Sequence, residues 1–325
     1  MLRIWLALAL LAGGLGTAAI AAGADDRFTF IAMGCMPYGP DSFSAYERLL
    51  GEINRQAPAF TVHCGDTKSG AEPPTEAFLQ RVSRWFNMIE GPLIYTPGDN
   101  EWTDVHQIEN GRHDPLIWLD RIRRTYFSEE RSLGRRPLPL VTQRRDPAFA
   151  KFVENARWSH GGVVFATVHV VGSNNGHRPT SAPAMAEFEE RDRANEAWIR
   201  AAFAEARATR APGLALFFQA EPFRSVARGD TPTGFNRFLA TIESEARAFP
   251  KPMLLVHADE HRYRLEHGMR FRPGTEPLAN MTRLETFGSP RIHAVIVTVD
   301  PASSQVFLAG PLLVPGNPLP QLPKG

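Results

Sequence analysis

Apolar residues along the first hundred positions switch between two periodicities. Residues 27–34 (RFTFIAMG) are dense in β-formers and predict a buried strand. Residues 42–56 place Phe43, Tyr46, Leu49, Leu50 and Ile53 three or four apart, the spacing of one helix face. A short strand follows at 59–63, a helix at 75–89 with Phe78, Val82, Trp85 and Phe86 on one side, and a third strand at 92–96. Strand, helix, strand, helix, strand is the pattern of a parallel βαβαβ core, in which ligands bind at the carboxyl ends of the strands.

From 129 to 150 the periodicity vanishes in RSLGRRPLPLVTQRRDPAF and its flanks, which predicts an exposed insertion or flap. Its arginines, Arg131, Arg135, Arg136, Arg144 and Arg145, either belong to a solvated loop or gather an anionic substrate. Beyond it lie a β segment at 162–172, a long charged helix at 184–208, strands at 213–219 and 253–257, and two more strands within 291–308. No repeat is visible, so the expected organisation is one domain over 25–310 and a loosely held Pro-rich tail over 311–325.

Composition narrows the class. The 325 residues are 43% hydrophobic and 22% charged, too apolar for a disordered chain. Lys plus Arg number 36 against 35 Asp plus Glu, so no net field draws the chain to nucleic acid or an anionic membrane. Arg3, an apolar run from Ile4 to Ile20, and the small-x-small triplets Ala19-Ile20-Ala21 and Ala22-Gly23-Ala24 read as a secretory signal peptide over 1–24. An uncleaved anchor is the alternative. After cleavage no membrane segment is expected, and the destination is the bacterial periplasm or the extracellular space. Two cysteines, Cys35 and Cys64, exclude a disulfide-rich scaffold or a four-cysteine metal site.

Chemistry-bearing residues gather where strands end. Cys64-Gly65-Asp66 follows the second strand, Pro97-Gly98-Asp99-Asn100-Glu101 the third, and His257-Ala258-Asp259-Glu260-His261 the one at 253–257. Glycine permits a sharp turn that brings a short carboxylate to the lip of a sheet. Carboxylates with imidazoles make a ligand set for zinc, iron or manganese. Each segment alone is equally an ordinary turn or a hydrogen-bonded structural histidine; their recurrence at three strand ends is what points to a centre.

That order resembles the calcineurin-like metallophosphoesterase superfamily, over about residues 27–308. The resemblance implies a four-layer α/β/β/α sandwich of two mixed β-sheets, one or two divalent ions (Zn, Mn or Fe) and hydrolysis of a small phosphorylated substrate by metal-activated water. Asp66 matches the carboxylate that bridges the two metals. Asp99 stands where the family has a metal-binding Asn, and His257 and His261 fill the last metal block, four residues apart where the family spaces its ligands by two. Asp259 competes with His261 for the second of those positions, and chemistry favours the histidine. Elsewhere the chain departs from the family: Cys35 and Pro37 replace the Asp and His of the first block, Asn100 takes the place of the catalytic His, and Gln219 that of a lone ligand His. Such losses also admit a non-catalytic relative that keeps the sandwich for binding or structure.

Several further residues are candidates around this centre. Cys35 and Cys64 end neighbouring strands and form either a disulfide, stabilising by about 3–4 kcal/mol on the chain-entropy model, or leave Cys35 to ligate metal as thiolate. His106 is a candidate displaced general acid in place of Asn100. Asn174 and His177 are placed to contact a phosphoryl group, and Lys68 either neutralises substrate charge or is simply solvated.

Overall fold

Alternation along the strands sends successive side chains into two different cores, and the layering follows from it. The computed structural model describes residues 27–224, 233–271 and 274–319. Its first sheet combines β1 (Phe28–Met33), β2 (Phe60–Cys64), β3 (Leu93–Thr96), β11 (Ala294–Val299) and β12 (Phe307–Leu312) in the order β12-β11-β1-β2-β3. The second combines β4 (Val141–Thr142), β5 (Ala156–His160), β6 (Val163–Thr167), β7 (Leu214–Phe217), β8 (Met253–His257), β9 (Arg264–Met269) and β10 (Leu278–Glu285) in the order β4-β5-β6-β7-β8-β10-β9. β1, β2 and β3 run parallel, as do β6, β7, β8 and β10, with antiparallel neighbours at the margins of each sheet.

Phe165 on β6, Ala215 and Phe217 on β7 and Leu254 and Val256 on β8 face the first sheet, while Val164, Leu214, Leu216, Met253 and Leu255 face outward onto helices. Between the sheets Phe30 and Phe60 meet Phe165 and Phe217 edge-on at 5.0–5.8 Å. Outside the first sheet pack α1 (Phe43–Gln56), α2 (Glu76–Phe86) and α3 (Pro115–Tyr126); outside the second, α4 (Ala182–Ala208) and α5 (Asn236–Arg247). The result is the α/β sandwich of two mixed sheets. α1 and α2 match the sequence-based helices, and Thr75 caps α2 by accepting the Phe78 N–H at 3.0 Å. α3, α5, β5, β9 and β10 are additional to the sequence reading.

The proposed flap is tied down more than its composition suggests. Leu133 exchanges backbone hydrogen bonds with Leu93 at 2.7 and 2.9 Å, prolonging the edge of the first sheet, and β4 joins the second. Four of its five arginines are spent locally: Arg131 on Glu129, Arg145 on Glu130, Arg144 on the carbonyls of Phe127 and Ser128, and Arg135 on that of Asn87. They do not form an anion-gathering cluster. The stretch after Pro311 is likewise held as far as it is described. β12 runs through Leu312, and buried Asn317 donates to the carbonyls of Ala45 and Ile292 while accepting from Arg48. The expected signal peptide lies outside the described residues, and no described helix is long and apolar enough to cross a membrane.

Candidate metal centre

Both sheets point the carboxyl ends of their parallel strands to one place. Two residues beyond β1, β2, β7 and β8 stand Cys35, Asp66, Gln219 and Asp259, and three beyond β3 stands Asp99. Asp66, Asp99 and Asp259 each present a carboxylate oxygen, and those oxygens lie within 4.8 Å of one another. Close approach needs bare backbone. A Cβ on Gly98 would sit 2.1 Å from Asp66 Oδ1, and one on Gly172 2.6 Å from Asp99 Oδ2.

Strained backbone marks the same spot. Of ten described non-glycine residues with φ between 45° and 80°, Cys35, Asp66, Ser173, Asn174, Asn175, Asp259 and His261 surround this centre. Left-handed residues cost roughly 1–2 kcal/mol each and persist where tertiary contacts impose them, commonly at functional sites. Here Arg191, fully buried, imposes the turn at 173–175 by donating to the Asn175 side-chain and backbone oxygens at 2.6 and 2.8 Å.

The centre of the cluster holds an amide. Gln219 Nε2 donates to Asp66 Oδ2, Asp99 Oδ1 and Asp259 Oδ1, each at 3.0 Å, while its Oε1 accepts the Gly172 N–H at 2.6 Å, which fixes which end faces the acids. Around Asp66 the Cys35 thiol (3.4 Å), the Tyr38 hydroxyl (3.2 Å) and the Asn100 N–H (3.1 Å) also donate. Ser173 Oγ donates to Asp99 at 3.0 Å and Asp104 at 2.7 Å.

Negative charge is in excess. Burial, then Asp99, Glu101 and Asp259, raises the Asp66 carboxyl well above the usual range. Burial, then Asp99, does the same for Asp259, and burial raises Asp99 against the opposing hydrogen bond from Ser173. Asp104 is pushed up to about 6 by burial and by Asp99. Cys35 is likewise raised by burial and by Asp66, so it stands as a thiol beside that acid. Acids crowded in this way call for a cation, and three carboxylates suit a hard one.

The remaining sequence candidates fall in different places. His257 is not in the cluster: its Nε2 accepts from Arg283 Nε at 2.8 Å, its Nδ1 faces the Ala258 carbonyl, and its ring stacks on Phe218. Alternation within β8 puts His257 on the helix-facing side with Leu255, whereas Asp259 has left the strand and its φ of 80° swings its side chain to the centre. His261 stops one residue short, with Nδ1 on the Ser289 carbonyl (2.7 Å) and Nε2 3.3 Å from the Tyr38 hydroxyl. Cys35 and Cys64 are both free, so no disulfide forms. Cys35 has left the strand with φ 52° and turns to Asp66, whereas Cys64 remains within β2.

Lys68 is buried rather than solvated. It donates to Asn110 Oδ1 at 2.7 Å, and burial lowers it to about 8. Asn100 stays at the mouth, its amide on the Tyr38 hydroxyl at 3.0 Å. Asn174 Oδ1 accepts the Gly234 N–H at 3.1 Å, while His106 and His177 line a neighbouring cleft. Ser173 and Asp104 were not singled out in the sequence, and only the NNG turn beside Ser173 signalled that loop. Because His257 serves Arg283, His257→Leu should cost about 1–3 kcal/mol by leaving the buried Arg283 Nε unpartnered. Denaturant unfolding measures that loss, and calorimetry with Mn²⁺ should show unchanged affinity.

Solved structures sharing this architecture include a dimetal phosphatase from Danio rerio, 9% identical with a TM-score of 0.54 over 88% of this chain and 99% of that one. A putative 5′-nucleotidase from Staphylococcus aureus is 12% identical, with a TM-score of 0.50 over 92% of this chain and 56% of its own. PhoD is 13% identical, with a TM-score of 0.49 over 85% and 64%. The fold is that of the calcineurin-like metallophosphoesterases. The chain thus spans less than two thirds of the nucleotidase and of PhoD, and at these identities the likeness to metallophosphoesterases is one of fold. No family model matches the chain, and no curated protein matches it in sequence.

Proposed function

We propose that this chain is an exported, metal-dependent phosphoesterase acting on small phosphate esters, with its centre built on Asp66, Asp99 and Asp259. The observation that carries this reading is the convergence of two buried carboxylates, Asp66 and Asp99, and the half-buried Asp259 from strand ends of both sheets within 4.8 Å. A set without imidazole favours Mn²⁺ or Mg²⁺ over zinc or iron. When bound, such an ion polarises a phosphoryl oxygen and brings the pKa of water toward neutrality.

The chain's own residues do the rest. Asp66, Asp99 and Asp259 would hold the ion, and Gln219, whose Oε1 is kept by the Gly172 N–H, orients their carboxylates through Nε2. The half-buried Tyr38 hydroxyl and Asn100 amide at the mouth orient phosphoryl oxygens. No described imidazole belongs to the cluster, so solvent rather than a positioned acid protonates the leaving group. A missing general acid costs about 10²–10⁴-fold, and turnover should be measurable mainly with good leaving groups.

One observation favours the second reading, a non-catalytic metallophosphoesterase fold: the Gln219 NH₂ already stands among the three carboxylates, within 3.0 Å of an oxygen of each. Elemental analysis and calorimetry with Mn²⁺, joined to hydrolysis of 4-nitrophenyl phosphate, separate the two. Bound metal with turnover is expected; protein that binds no Mn²⁺ and stays inert supports the second reading. N-terminal sequencing of protein from fractionated cells tests export, with cleavage near Ala22 or Asp25 expected.

A further inference from the structure

A cleft of about 480 Å³ adjoins the carboxylate cluster on the side of Ser173. Ser173 belongs to both, since its hydroxyl bonds Asp99 of the cluster at 3.0 Å and Asp104 of the cleft wall at 2.7 Å. The same lining carries His106, His113, His177, Arg112 and Arg178. Its acids are occupied: Asp114 accepts the Leu116 N–H at the start of α3, and Glu187 takes the Arg191 guanidinium, each at 2.8 Å. The arginines are not. Neither Arg112 nor Arg178 has an ion-pair partner among the described residues, and Arg178 Nε is buried without a hydrogen-bond partner. Arg112 is moreover held in a left-handed conformation, φ 55° after Gly111 at 95°, by its own N–H on the Gln107 carbonyl at 3.0 Å.

Two permanently charged guanidiniums and three imidazoles thus face a space of ligand size, next to a centre whose own charge is negative. A phosphate ester with its phosphoryl group at the carboxylate cluster extends its alcohol part past Ser173 into this space. We propose that the cleft receives that alcohol part and selects one bearing a second anionic group, such as a sugar or polyol bisphosphate. For turnover this rests on the phosphoesterase reading; for anion binding it does not.

Calorimetry on the full chain in chelator tests the cleft without the metal. Fructose 6-phosphate should bind at least tenfold more tightly than fructose. Arg112→Gln combined with Arg178→Gln should abolish that difference at an unchanged unfolding midpoint. In the unaltered protein, raising salt from 50 to 500 mM should weaken the binding severalfold, a check that needs no variant. With Mn²⁺, KM for fructose 1,6-bisphosphate should lie at least tenfold below that for fructose 6-phosphate. Equal binding of sugar and sugar phosphate in chelator, or a difference that survives both arginine substitutions or high salt, overturns the cleft, whatever the catalytic result. Anion binding that behaves as expected in a protein without Mn²⁺ affinity or turnover leaves the cleft standing and removes the phosphoesterase.

Discussion

Replacing Gln219 with leucine should destabilise the metal-free protein by about 3–5 kcal/mol at pH 8, the cost of taking away one partner of a buried charged network. Its amide is the common donor to Asp66, Asp99 and Asp259, and leucine leaves these three crowded carboxylates facing each other. The sign with pH follows from the raised carboxyl groups. The folded state keeps protons that the unfolded chain releases near pH 4, so stability falls as pH rises from about 4 through the raised folded values, and returns on acidification. At pH 5 the cluster carries more protons, and the penalty for losing Gln219 shrinks. A millimolar divalent cation at pH 8 should restore most of the loss, because the ion takes over the role of the amide. Denaturant unfolding at pH 5 and pH 8, in chelator and in Mn²⁺, reads all four conditions. An equal loss in all of them would assign Gln219 to packing alone.

Much of the sandwich was written in periodicity. α1, α2 and the parallel strands β1, β2, β3, β6, β7 and β8 carry clean helical or β patterns because each buries one face or both. β9 and β10 did not show: Arg264, Glu266, His267 and Arg283 give their segments a polar look, and only the fold reveals that Arg283 is buried against Glu221 and His257. The flap and tail misled for a related reason. Proline and arginine signal exposure, but backbone pairing of Leu133 with Leu93 and the amide of Asn317 hold these segments regardless.

The centre was legible in its three segments and less so in its residues. Asp66 and Asp99 stood out through their glycines. Ligand chemistry favours His261 over Asp259, yet position decides which side chain arrives. Cys35, Asp66, Gln219 and Asp259 each stand two residues past a strand end, the first place where a left-handed or turning backbone swings a side chain over the sheet edge. That spacing was present in the sequence once strand ends were placed, and it selects Asp259 over either histidine. Ser173 carried no such signal, standing six residues past β6 on a left-handed turn imposed by Arg191 from α4.

Removing a carboxylate should trade ion binding for stability. Asp66→Ala takes away the acid that Cys35, Tyr38, Asn100 and Gln219 all address, and it should weaken Mn²⁺ binding by about 100-fold or more, roughly 2.7 kcal/mol, with turnover lost in parallel. Asp99→Asn is the cleaner probe of charge alone. Its amide oxygen keeps the Gln219 bond, and its NH₂ donates to the Ser173 hydroxyl, which continues to donate to Asp104. With one like charge gone, the metal-free protein should gain about 1–2 kcal/mol at pH 8, and its stability should fall less steeply from pH 5 to pH 8. Mn²⁺ affinity should drop about tenfold for the lost charge, roughly 1.4 kcal/mol. A cluster kept for architecture would lose stability on this substitution, because a satisfied network would be disturbed; one kept for a cation gains it, because repulsion held in reserve for the ion is released. Thermal unfolding of Asp99→Asn in chelator, set beside Mn²⁺ calorimetry on the same preparation, gives the two signs directly, and a loss in both would return the cluster to a structural role.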